Sequence, residues 1–174
     1  PVSLSLTSSQ KTKFRKLFSE QREEYAMNQL VLLGRVFYSA VFLISVPGYF
    51  TDNTIRYVAA QGLPLAGFVV PLLGSFALMG GVSILIGYRA KAGACLLVLF
   101  LAPMTVTIHN YWAIVDPAAA ALQWSHFLKN LSLLGSALLI AYFGSGPLSL
   151  ENYLKRRDRD RHGTRMIDLT AKRR

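Results

Sequence analysis

Leu65-Ala66-Gly67-Phe68-Val69-Val70-Pro71-Leu72-Leu73-Gly74-Ser75-Phe76-Ala77-Leu78-Met79-Gly80-Gly81-Val82-Ser83-Ile84-Leu85-Ile86-Gly87-Tyr88-Arg89-Ala90-Lys91 decides the fold. No residue from 65 to 88 is charged. Two cations interrupt at 89 and 91, and 92–108 is again free of charge. A helix needs about 20 apolar residues at 1.5 Å each to cross a bilayer. This segment therefore predicts two membrane helices, at about 65–87 and 90–108, joined by a very short basic turn.

Outward from this hairpin, two further apolar stretches are long enough to span. The first is about 29–48, ending in Pro47-Gly48. The last is about 122–143, stopped by Gly144-Ser145-Gly146-Pro147. All four are apolar around their circumference, as expected of a buried or lipid-facing helix rather than a half-wet one. Small residues (Gly67, Gly74, Gly81; Ala90, Ala92, Gly93, Ala94; Gly135, Ser136, Ala137) would let neighbouring backbones approach. Pro64 suits the first turn of the second span. Pro103 should kink the third. The predicted fold class is all-α: an antiparallel four-transmembrane-helix bundle with an N-terminal amphipathic helix.

Charge confirms the division. Residues 29–150 carry five Lys/Arg and two acids of the chain's 19 and nine. Overall, 16% of residues are charged, against about 25% in soluble domains. The chain divides into a segment 1–28, a bundle 29–150 and a basic tail 151–174. Both ends and the 88–91 turn hold 16 Lys/Arg, whereas the loops 49–64 and 109–121 hold only Arg56. By the positive-inside rule both termini are cytoplasmic. Pro1-Val2-Ser3-Leu4 lacks a basic segment followed by an apolar run, so no cleavable signal peptide is expected, and the first span acts as the insertion signal.

Phe14, Leu17, Phe18 and Tyr25 recur at helical spacing in 14–28, with Lys13, Lys16, Arg22 and Glu23 elsewhere around the turn. Such a helix lies in the headgroup plane or packs on a partner. In the tail, Lys155, Arg156, Arg157, Arg159 and Arg161, then Lys172-Arg173-Arg174, enforce topology and contact anionic lipid or an acidic partner. No aromatic platform is interleaved with these charges, which argues against nucleic acid. In the loop 49–64, Thr54–Ala60 is read as a short interfacial helix.

Two charges fall inside spans, where each is a functional candidate. Arg35 sits two turns into the first span with Tyr38 and Ser39 on its face; the alternative is an arginine snorkelling to lipid phosphates. Lys129 lies about 10 Å into the fourth span. It shares a stripe with Ser125, Ser132 and Ser136 and is flanked by His126 and Asn130. A stripe this polar should face the bundle interior or a partner. With His109, Trp112 and Trp124 at the same end, these residues would form an outer pocket for an anion or a quinone carbonyl, or a hydrogen-bond cluster locking helices together. A haem between His109 and His126 is not expected, since one histidine per helix without other ligands is too little. Metal spacing, phosphate loops and Ser–His–acid sets are missing from the sequence. Cys95, the single cysteine, rules out a dithiol relay and is read as core.

The order of these elements resembles the DoxX family of four-helix membrane proteins over about residues 30–151. The resemblance rests on Leu33-Gly34-Arg35, on Gly80-Gly81-Val82-Ser83 through Tyr88-Arg89, and on His109-Asn110-Tyr111-Trp112. It continues through Phe127-Leu128-Lys129-Asn130 to Gly135 and ends in Gly144-Ser145-Gly146-Pro147-Leu148-Ser149-Leu150-Glu151. Many members carry a Glu shortly before the paired glycines. Phe76-Ala77-Leu78-Met79 has none, so that carboxylate's role is not carried over. The resemblance implies a bacterial or archaeal cytoplasmic membrane and a link to thiosulfate oxidation with quinone, or to enzymes of oxidative and sulfur stress.

Three functions stay open. The first is a non-catalytic subunit or partner in a larger, redox-linked assembly, in contact with lipid and with other membrane proteins or further copies of itself. The second is a quinone-linked oxidoreductase subunit. The third is a small-solute transporter, for which inverted repeats are not visible.

Overall fold

The computed structural model describes residues 8–171. Pro1-Val2-Ser3-Leu4 and Lys172-Arg173-Arg174 lie outside the described residues. The order is α1 (Ser8–Ser45), a 3₁₀ turn Val46–Phe50, α2 (Asp52–Ala60), α3 (Ala66–Ile86), α4 (Ala90–Ile108), a 3₁₀ turn Tyr111–Ala113, α5 (Pro117–Phe143) and α6 (Leu150–Ala171). Among the described residues there is no strand. Four helices (α1, α3, α4 and α5) are long and apolar enough to cross a membrane. The chain is a polytopic helical membrane protein.

The hairpin α3–α4 is the centre. Its helices meet at Gly80 and Gly93: a Cβ on Gly80 would stand 2.7 Å from the Gly93 carbonyl oxygen, and one on Gly93 2.6 Å from Ser83 Cβ. No larger residue fits that approach, which maximises dispersion contact between helices in lipid. α1 packs against α3, and α5 against α4. The core between them holds Ala77, Ile84, Ala94, Leu97 and Leu101, all essentially inaccessible. Tyr38, Phe42, Tyr49 and Phe100 add a chain of tilted and edge-on rings with centroids 5.2–6.1 Å apart. Tyr38 closes the bundle by donating its hydroxyl to the Leu133 carbonyl on α5 at 3.0 Å.

Boundaries differ from the sequence reading at several points. α1 is one continuous helix through 28 and 29, so lead-in and first span share an axis. α5 starts at Pro117, capped by Asp116 whose carboxylate accepts the Ala119 N–H at 2.7 Å. Pro64 lies before α3, not in its first turn; Leu65, in a left-handed conformation, precedes the helix instead. Pro71 is the proline inside α3, and the hydroxyl of Ser75 bonds its carbonyl at 2.9 Å. Cys95 is exposed on the outside of the bundle rather than in the core. The interfacial helix read at Thr54–Ala60 is α2, capped by Thr51.

Candidate functional site

At one end of the bundle the α3–α4 turn, the α5–α6 turn and the middle of α1 converge on Arg35. Its guanidinium is buried, donating from Nη1 to the Ser145 carbonyl at 2.6 Å and from Nη2 to the Leu148 carbonyl. Both acceptors lie in the turn that stops α5. Gly87 forms the other wall. Its φ of +72° caps α3 in the left-handed region, and a Cβ there would overlap Arg35 Nη1. The Gly87 carbonyl accepts the Glu151 N–H at 3.2 Å, and Ser145 Oγ donates to Ser149 Oγ at 3.2 Å. Arg35 therefore stitches three segments together rather than snorkelling to lipid. Arg35 Nε and Ser39 Oγ, one turn apart, are the buried side-chain polar atoms without a partner among the described residues.

The opposite end holds the outer cluster. His109 Nδ1 pairs with Gln123 Oε1 at 2.7 Å, and the rings of His109 and His126 lie 5.4 Å apart. His126 Nδ1 is 3.4 Å from Lys129 Nζ. Gln123, a residue the sequence reading missed, falls one turn before His126–Phe127 and has no local signal beyond its polarity. Trp112 and Trp124 are not in this polar chain. They join Tyr111 and Phe127 in an aromatic group, with Tyr111 and Trp124 centroids 4.7 Å apart. Asn130 meets His109 and Lys129 in a cavity of about 130 Å³ between α1, α4 and α5, walled by Val41, Tyr49 and Phe100. That volume is far below the roughly 300–1,000 Å³ of small-molecule sites.

The stripe on α5 is largely turned outward. Ser125, Lys129 and Ser132 are exposed, and Ala137 is the buried residue of this helix. The serines need no outside partner: Ser125, Ser132 and Ser136 each donate to the carbonyl four residues back at 3.0 Å. Lys129 differs. Among the described residues no carboxylate lies within ion-pair distance of it.

In the tail, Lys155 pairs with Glu151 at 2.7 Å, while Arg156, Arg157, Arg159 and Arg161 are exposed. The hydrogen bond from Lys155 holds the Glu151 carboxyl below its usual range.

Comparison with known proteins places the molecule. The model of the SURF4 family matches residues 4–157. The chain belongs to the SURF4 family. This corrects the resemblance to the DoxX family, and the redox and quinone association loses the support it drew from it. Two similar proteins of Escherichia coli (strain K12) are the inner membrane protein YphA, 26% identical over 126 residues, and the inner membrane protein YqjF, 28% identical over 129. The alignments cover 70% and 73% of this chain and 88% and 93% of those proteins. The ER-derived vesicles protein ERV29 of Saccharomyces cerevisiae is 32% identical over 78 residues, 45% of this chain and 25% of that protein. No solved structure matches significantly. The residue order that suggested DoxX consists of short Gly, Arg and aromatic pieces at span ends. Such pieces serve helix packing and interface anchoring in any small helical membrane protein.

Proposed function

We propose that this SURF4-family protein is a non-catalytic partner subunit of the cytoplasmic membrane whose α5 face receives a transmembrane segment bearing a carboxylate. One observation carries the reading: Lys129 projects from a membrane span with a histidine 3.4 Å away and no carboxylate near it among the described residues. A lysine within a span costs up to the roughly 2.5–3.5 kcal/mol that insertion scales give at a helix centre, and an acidic group on a neighbouring helix would offset that. The likeness to inner membrane proteins of a bacterium supports the location. The asymmetry of Lys and Arg supports placing both termini in the cytoplasm.

A photo-reactive side chain at position 132 tests the docking face. A protein adduct that disappears in Lys129→Met supports the proposal; lipid adducts alone, in both backgrounds, overturn it. Sidedness is read separately in a Cys95→Ala background with single cysteines and an impermeant thiol reagent applied to intact cells. Labelling at 112 and not at 160 is the expected result.

A second reading rests on the cavity that touches His109, Lys129 and Asn130. At about 130 Å³ it suits a small anion and not a quinone ring with its tail. Protection of Lys129 from amine-reactive reagents by chloride or formate, without any protein adduct at 132, would favour it.

A further inference from the structure

At the Arg35 end, away from the α5 face, two neighbouring hollows share residues. One, of about 770 Å³, is lined by Arg89, Lys91, Lys155, Glu151, Asn152 and Phe143. The other, of about 570 Å³, is an apolar groove between α3 and α4 formed by Leu78, Met79, Val82, Ile86 and Leu96. Arg89 and Ala92 line both. A cationic hollow thus opens directly onto a greasy channel.

The charges in the first hollow are unequal. Glu151 is engaged by Lys155 at 2.7 Å. Arg89 and Lys91 have no carboxylate within ion-pair distance among the described residues. The Arg89 guanidinium rests 5.9 Å from the centroid of the Tyr88 ring, and the Lys91 stem packs near Gly144. Three cations against one carboxylate leave an excess of two. An arginine fork beside a lysine is suited to a phosphate, the fork giving directional bonds and the ammonium a point charge. Inorganic phosphate has no use for the second hollow. Leu78, Met79, Val82 and Ile86 are 37–51% exposed and belong to a span that faces lipid. Charge and apolar surface in this order match one kind of molecule.

We infer that the α3–α4 turn is a binding site for an anionic diacyl phospholipid, its headgroup phosphate between Arg89 and Lys91 and one acyl chain along the α3–α4 groove. The site is independent of the α5 reading. Lys155 completes it from α6, so an occupied site would hold the start of the tail against the bundle.

The full chain in mild detergent, titrated with phosphatidylglycerol, phosphatidylcholine or inorganic phosphate, gives the test. Phosphatidylglycerol should bind at least 10-fold more tightly than phosphatidylcholine and raise the melting temperature, and millimolar phosphate should do neither. Arg89→Gln with Lys91→Gln should remove that preference. Ala92→Trp, which plugs the junction without touching charge, should weaken binding of phosphatidylglycerol as well. Equal binding of the two lipids overturns the inference, as does an unchanged preference in the double variant. Protection by inorganic phosphate equal to that by phosphatidylglycerol also overturns it, since the source is then a free anion. If the double variant does not fold, Ala92→Trp decides: wild-type affinity for phosphatidylglycerol there rejects the groove.

Discussion

The two ends of the bundle each hold a cation within a span, and they treat it in opposite ways. Arg35 is buried and donates to two carbonyls of the α5–α6 turn. Lys129 is exposed, and its neighbour is a histidine. The first cation is spent on architecture and the second is not. A planar fork can satisfy two carbonyls from one position, while a single ammonium on a helix surface needs a partner brought to it. An intramembrane charge is thus a functional candidate only after its partners inside the fold have been counted.

Breaking the Arg35 end should have the largest effect. Arg35→Met removes two hydrogen bonds from a charged donor, each worth about 1.5–3 kcal/mol, so a loss of roughly 3–6 kcal/mol is expected in reversible unfolding by denaturant. Arg35→Lys should recover little of it, because one ammonium cannot reproduce the fork. A variant within 1 kcal/mol of wild type would remove Arg35 from the architecture. Gly87→Ala comes next, at about 1–3 kcal/mol, since it strains a left-handed backbone and displaces the guanidinium. Its cost should vanish in the Arg35→Met background apart from the backbone share, which a double-mutant cycle measures.

Lys129→Met sharpens the contrast from the other side. Stability in detergent should move by no more than about 0.5 kcal/mol, as for an exposed position whose contact is one long hydrogen bond, to His126, while the adduct at 132 is lost. A destabilisation above 2 kcal/mol would make the two ends alike. The smallest effect belongs to Glu151. Its carboxyl titrates below its ordinary value of 4.5 because Lys155 donates to it. A depressed carboxyl contributes stability above its unfolded pKa and loses it as pH falls through the folded value. Glu151→Gln should therefore match wild type below that range and be slightly less stable at neutral pH, measured by melting temperature against pH.

The four spans were legible because uninterrupted apolar length is a property of sequence alone. α5 starts five residues before the boundary expected from apolar length. Asp116-Pro117 is a helix-start signal, but the alanines that follow are only weakly apolar and were read as loop. The exposure of Cys95 is not legible in sequence, because a helix apolar on every side carries no periodicity to say which face is inward. The acceptors of Arg35 lie 110 and 113 residues further along the chain, and no local pattern reports contacts at that separation. The outer cluster was half legible. Spacing of three placed His126 beside Lys129, but the pairing of His109 with Gln123 depends on how α4 and α5 are docked. The two tryptophans, read with the histidines, go instead to a separate ring cluster around Tyr111.

The unbroken course of α1 has a mechanical meaning. Thirty-eight residues make a rod of roughly 57 Å, and about 30 Å suffices to cross the hydrocarbon. The surplus cannot fold flat against the headgroups without a break in the helix. It extends α1 as a straight rod carrying Phe14, Leu17 and Phe18, each about half exposed. Arg35 clamps this rod near where the bundle begins. A tilt of about 10° at that clamp would swing the far end, Ser8, by roughly 7 Å, given 1.5 Å of rise per residue. A partner that gripped the far end of the rod would therefore hold a lever on the packing of the spans.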